Sequence, residues 1–143
     1  MIFLDSSLLA RHYGRRHSRT VDAPTSPPPP AEICVSELCR VEVPSAVRRR
    51  VREGTMDAPS AEVALALFSR DLGSWSRIRV EDRVLDVAAA LVVRHPLHSL
   101  DAIHLASALV ASEGAPTPVR FGSGDARLNA AAKAEGLELL AST

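Results

Sequence analysis

Four acidic residues stand where the chain could gather oxygen donors: Asp5 after "MIFL", Glu42 in "SELCRVEV", Asp101 in "LHSLDAIHL" and Asp125 in "FGSGDARL". Carboxylates brought to one place repel one another unless a cation occupies the space between them. Oxygen donors without His or Cys suit a hard divalent ion, Mg²⁺ or Mn²⁺. Such an ion bridges phosphate oxygens, lowers the pKa of a water and offsets charge on a leaving oxygen, which is the chemistry of metal-dependent phosphodiester hydrolysis. Each acid also has a plainer role. Asp5, Asp101 and Asp125 can cap the helices that follow them, and Glu42 can reach solvent from a helix face. Singly, those roles are the better account; four acids converging on one rim favour the ion.

Convergence depends on the elements in between. "MIFLD" has the form of a buried first strand, followed by a helix over "SSLLARHY" that Gly14 is expected to stop. Residues 15–31 carry five prolines without an apolar period and read as a loop. "ICV" is a second strand, and Ser36 can cap the helix "ELCRVEVPSAVRRRVRE", in which Pro44 either bends the helix or marks its true first turn. Asp57 caps the next helix, expected to bury Val63, Leu65, Leu67 and Phe68. A third strand, "IRV", precedes an amphipathic helix with Val84, Leu85, Ala88, Leu91 and Val92 on its apolar side, ending before His95 and Pro96. After the Asp101 helix come a strand "PVRF", a helix "GDARLNAAAKAE" closed by Gly136, and a last strand "LELL". Strands separated by helices imply parallel pairing, hence a three-layer α/β/α domain with a central parallel sheet, single over residues 1–143. In such sheets ligands bind beyond the carboxyl ends of the strands. Asp5 and Asp125 follow strands at that rim, Asp101 opens a helix near it, and Glu42 shares a helical stripe with Leu38 and Ala46.

Composition narrows the function classes. At 143 residues one core suffices, and 46% apolar with 24% charged residues is a globular balance. Aromatics at 3% argue against a platform that reads RNA by stacking bases. Seventeen basic residues offset seventeen acidic ones, so any nucleic-acid contact must be local. Cys34 and Cys39 lack a zinc spacing and read as small hydrophobes in a reducing compartment. Met1 runs into "IFLD" without a leader pattern, and the longest apolar run is too short to span a bilayer, so a cytoplasmic protein with no membrane contact is expected.

The segments "MIFLDSSLLARHY", "VSELCRVEVPSAVRRRVREG", "HPLHSLDAIHLASAL" and "VRFGSGDARLNAAAKAEGL" together resemble the PIN-domain ribonucleases, and within them the VapC-type toxins of bacterial toxin–antitoxin pairs. The resemblance spans most of the chain apart from the Pro-rich segment. It implies a metal-holding quartet of Asp5, Glu42, Asp101 and Asp125, with the Ser7 hydroxyl supporting the metal shell. It also implies a homodimeric RNase that cleaves RNA, commonly structured RNA such as tRNA, and is neutralised by a cognate VapB-type antitoxin. Three features depart from the family pattern: "DAPTSPPPP" falls where relatives carry a helix, Pro44 interrupts the Glu42 helix, and the Gly-Ser-Gly before Asp125 is a flexible approach.

Arg48 and Arg49 open a basic run that can fork onto phosphates or simply face solvent. His95 and His98, spaced HxxH around Pro96, are not presented like helical metal ligands. His104, one turn beyond Asp101, can approach substrate, but the better account is a polar handle satisfied inside a tight helix interface; Trp75 is expected to be a packing anchor or a partner contact. Three function classes follow: a metal-dependent endoribonuclease, a catalytically impaired interaction protein of the same fold, and a phosphotransfer domain with Asp5 as nucleophile. Ser7 counts against the third, because a second Asp is wanted there.

Overall fold

A computed structural model describes residues 1–15 and 32–140; the Pro-rich stretch expected to be a loop lies, apart from Arg15, outside the described residues. The elements are β1 (Ile2–Leu4), α1 (Ser6–Arg15), β2 (Ile33–Ser36), α2 (Cys39–Arg52), α3 (Ala58–Leu72), β3 (Ser76–Ile78), α4 (Asp82–Arg94), α5 (Ser99–Glu113), β4 (Arg120–Gly122), α6 (Ala126–Ala134) and β5 (Glu138–Leu139). The strands form one sheet in the order β3-β2-β1-β4-β5, every pair parallel. Among the described residues six helices flank it, in keeping with the alternation of strand and helix patterns.

Side-chain alternation along the short strands divides the interior in two. Phe3 and Cys34 join the cluster built from α4, α5 and α6, with Leu91, Leu105 and Leu128 fully buried. Val35, on the opposite face of β2, joins Leu9, Tyr13, Val43 and Phe68 beneath α1, α2 and α3. The rings of Phe3 and Phe121 stack at 5.9 Å across the β1–β4 pair. Trp75 packs edge-on against Phe68 at 6.3 Å, the anchoring role its position suggested. Burial pushes the Cys34 thiol up to about 11 and that of Cys39 up to about 12, so both are inert hydrophobes at neutral pH.

Several local expectations give way. Gly14 does not end α1, which continues to Arg15; the helix there lies so close to α2 that a Cβ on Gly14 would stand 1.8 Å from Nη1 of Arg50. Close approach, and not termination, explains this glycine. Pro44 does not mark the first turn: α2 begins at Cys39 and runs through it. Ser36 ends β2, and the N-cap position of α2 is Leu38, with no side-chain cap. Val63, Leu85 and Val92, expected inside, are exposed, whereas the inward stripes of their helices are Ala61, Ala64, Phe68, Leu72 and Val84, Ala88, Leu91. β3 lies two residues earlier than "IRV" because it is an edge strand whose span is set by pairing with β2, Cys34 opposite Ser76. β4 likewise extends past Phe121 to Gly122, where it pairs with Leu4. Asp57 does cap α3, accepting from the Ser60 amide at 2.8 Å and its hydroxyl at 2.9 Å.

Candidate active site

The sheet winds outward from β1 through β2 to β3, then restarts on the other side of β1 with β4. That reversal opens a crevice at the carboxyl ends of β1 and β4, where α/β sheets place their ligands. Asp5 is the first residue beyond β1 and is 4% exposed. Its Oδ2 accepts from the Ser7 hydroxyl at 2.5 Å, the Ser123 hydroxyl at 2.9 Å and the Ser7 amide at 3.3 Å. Its Oδ1 receives no hydrogen bond from a described residue and faces Nε2 of His104 at 3.6 Å. One oxygen is tied down by three donors, and the other is left without a hydrogen bond among the described residues.

The "GSGD" turn after β4 supplies much of that restraint, and it is pinned instead of flexible. Asn129 clasps Ser123 at both backbone groups, its Oδ1 accepting from the Ser123 amide at 3.2 Å and its Nδ2 donating to the Ser123 carbonyl at 2.9 Å. The Gly124 amide donates to the Ser7 hydroxyl at 2.9 Å. A Cβ on Gly124 would lie 2.8 Å from Nη2 of Arg11 and 3.1 Å from the Ser7 hydroxyl, so the missing side chain lets the turn close on α1. Sequence reasoning missed Ser123, Asn129 and Arg11. The signal for Ser123 was its place at the end of the strand beside β1.

Glu42 comes from α2, half-buried. Its Oε2 accepts from the Ser6 hydroxyl at 2.7 Å and is bonded by Nε2 of His104. Burial works to raise the Glu42 pKa, but the His104 hydrogen bond and charge, with the Ser6 hydroxyl, outweigh it and hold the carboxyl below its ordinary value. Glu42 is therefore a carboxylate at neutral pH, and no described residue bonds its Oε1.

Asp101 does not cap its helix: α5 begins at Ser99, His98 holds the N-cap position, and Asp101 is in the first turn. Its Oδ2 lies 3.6 Å from Nδ1 of His98 and receives no hydrogen bond from a described residue. Asp5, Glu42 and Asp101 line one cleft of about 430 Å³ together with Ser7, Arg49 and His104. Asp125 is not among its lining residues. It caps α6, Oδ1 accepting from the amides of Arg127 at 2.7 Å and Leu128 at 3.4 Å. Those amide bonds, led by that of Arg127, lower its pKa. It is linked to Asp5 only indirectly, through its amide's bond to the Ser123 hydroxyl at 3.0 Å.

The two arginines divide similarly. Arg48 is bound to Glu62 of α3, while Arg49 lines the cleft with no ion pair among the described residues. His95 bonds Glu135 at 2.6 Å, away from the cleft. His104 is buried where α5 meets α1 and α2, and the partners of its Nε2 are the side chains of Glu42 and Ser6.

Among the described residues no three His, Cys, Asp or Glu side chains stand close enough together to enclose an ion. The donors nonetheless fit Mg²⁺ or Mn²⁺. Magnesium keeps several waters and needs only one or two carboxylates besides substrate phosphates. Asp5 and Glu42 each offer one oxygen held by protein donors and one left free, the arrangement in which supporting hydrogen bonds orient a metal ligand. No helix among the described residues is long and apolar enough to cross a membrane.

No curated protein matches the chain. The family model described as PIN domain matches residues 2–134, and domains of that family are in general metal-dependent nucleases. Asp5 at the winding reversal, in a wholly parallel sheet and beside two further acids, is thus part of a match over nearly the whole sequence: the chain belongs to the PIN-domain family.

Proposed function

We propose that the protein is a metal-dependent endoribonuclease whose centre is Asp5, Glu42 and Asp101. The observation that carries this reading is the single cleft the three line, with a free carboxylate oxygen on each. Asp5 and Glu42 would hold the cation, and Asp101, on the facing helix, would bind it or its waters. When bound there, Mg²⁺ or Mn²⁺ supplies Lewis-acid polarisation of phosphate and water. The chain's own part is positional. Ser7 and Ser123 hold Asp5 Oδ2, so that its second oxygen keeps one direction. Arg49 stands on the cleft wall with a guanidinium suited to a phosphate of the RNA, and Arg11 lies beside the Gly124 turn at the Asp5 side. Asp125 fixes the start of α6 and, through Ser123, the frame around Asp5, so within the quartet it supports the other ligands.

The motif resemblance supports a finer reading: a cytoplasmic VapC-type toxin, homodimeric, acting on structured RNA such as tRNA and neutralised by a VapB-type antitoxin. The test is incubation of the purified protein with total tRNA and Mn²⁺, with and without chelator, beside Asp101→Asn. Cleavage that requires metal and falls by about 10–100-fold in the variant is expected, the usual cost of losing a group that supports a bound metal. Cleavage unaffected by both treatments sinks the mechanism. A second reading, a catalytically impaired interaction protein, is favoured by one observation: no three candidate ligands are gathered among the described residues. Calorimetry showing no Mn²⁺ binding by the wild-type chain would select it.

A further inference from the structure

His104 sits on α5 one turn beyond Asp101, 1% exposed, with its ring turned toward the cleft. Among the described residues its hydrogen-bond and ion-pair partners all lie at Nε2: Glu42 Oε2, the Ser6 hydroxyl at 3.1 Å and Asp5 Oδ1 at 3.6 Å. Its Nδ1 is buried without a hydrogen-bond partner among the described residues. A histidine kept only to satisfy itself in the core would be expected to engage both nitrogens, since buried polar atoms rarely go unpaired. This one forgoes a bond at Nδ1 and commits Nε2 to the acids. Two carboxylates facing Nε2 require the proton on that nitrogen, because an unprotonated Nε2 would set a lone pair against theirs.

We propose that His104 is a positioning residue for Glu42. Its Nε2–H, with the Ser6 hydroxyl, holds Oε2 of Glu42 and thereby turns Oε1 toward the place where a divalent cation would lie beside Asp5. The inference rests on the metal-dependent reading above and adds a residue to it. Glu42 needs such help because it is carried on α2, across the cleft from α5, and a glutamate has three rotatable bonds to lose on ligation. Ser6 fixes it from α1 and His104 from α5, so the two bonds tie three elements around one carboxylate. Asp5 needs no equivalent, being anchored by Ser7 and Ser123.

The experiment is Mn²⁺ binding by titration calorimetry with the full chain, wild type against His104→Leu and His104→Gln, each checked for its fold by circular dichroism. Loss of an outer hydrogen bond to a ligand typically weakens metal binding about 10–100-fold, and that is expected for the Leu variant. The Gln amide donates near the same place and should recover most of the affinity, which a role in packing alone would not predict. Equal binding by wild type and a folded Leu variant overturns the inference and leaves the nuclease reading standing. A wild-type chain that binds no Mn²⁺ overturns both. Should the Leu variant not fold, nitrogen-15 NMR of the wild-type imidazoles decides: the expected result is a proton on His104 Nε2 whose resonance moves when Mg²⁺ is added. An Nε2 without a proton, or a resonance that saturating Mg²⁺ leaves in place, overturns the proposal.

Discussion

At the scale of single residues, the acids of this chain differ less in charge than in what their oxygens already do. Among the described residues Asp5 and Glu42 keep one oxygen each out of hydrogen bonds, whereas Asp125 spends Oδ1 on two amides of α6. The difference is measurable. Asp125→Ala should destabilise the fold by about 1 kcal/mol, the usual cost of a lost helix cap, and Asp125→Ser should recover most of that stability. If the carboxylate acts as a cap and support, the Ser variant also keeps cleavage activity within a few-fold of wild type. A collapse of the Ser variant to the level of Asp5→Asn, with stability intact, would instead make Asp125 a ligand. Asp5, Glu42 and Asp101 were legible as site candidates because strand ends and helix stripes carry one-dimensional signatures. Among their supports Ser7 was named from the motif resemblance, and the others left no such mark. Asn129 clasps a turn six residues back, and His104 reaches Glu42 across sixty-two positions of sequence, so neither relation leaves a local pattern.

At the scale of elements, α/β alternation was readable throughout, while boundaries and faces were set by contacts the sequence does not display. Gly14 looked like punctuation because glycine commonly ends helices, yet its role is to admit Arg50 of α2. Leu85 and Val92 matched a helical stripe and still face outward, since the narrower set Val84, Ala88 and Leu91 meets α5. The C-terminal end of α4 shows what holds elements together at the surface. Arg94 donates to both oxygens of Glu135 at 3.1 and 3.0 Å, and His95 bonds the same carboxylate just past α6. The Arg94 bond first, then that of His95, lowers the Glu135 pKa below its ordinary 4.5. A carboxyl whose folded pKa is depressed contributes stability that is present above the unfolded value and is lost as pH falls through the folded one. Glu135→Gln should therefore cost stability near neutral pH, by no more than about 1 kcal/mol for a group at the surface. Thermal melts of both proteins across pH 2 to 7 check the sign: the gap between them should close on the acid side, below about 4. A gap that widens on acidification would show that the cluster does not stabilise the fold through an ionised Glu135.

At the scale of the whole molecule, the balance of seventeen basic and seventeen acidic residues sets how RNA can be held. A protein with no net charge draws no polyanion by its overall field, and the cleft itself is acidic, so attraction must come from a metal ion and from a few placed cations. Among the described residues the candidates beside the cleft are Arg49 on α2 and Arg11 on α1, both without ion pairs, whereas Arg48 is engaged by Glu62. Binding through two phosphate contacts to a single strand should give log K a slope of about −1.4 against log salt, shallow beside that of a basic RNA-binding protein. Fluorescence anisotropy with a labelled RNA and the Asp101→Asn protein, which should bind without cutting, measures that slope at fixed Mg²⁺. Arg49→Ala should lower affinity and reduce the slope by about one contact's share, near 0.7, and Arg48→Ala should leave the slope unchanged. A steep slope that Arg49→Ala does not alter would move the RNA off this cleft and onto the remaining arginines. The wall formed by α1 and α2 would then no longer be the track along which the substrate reaches Asp5.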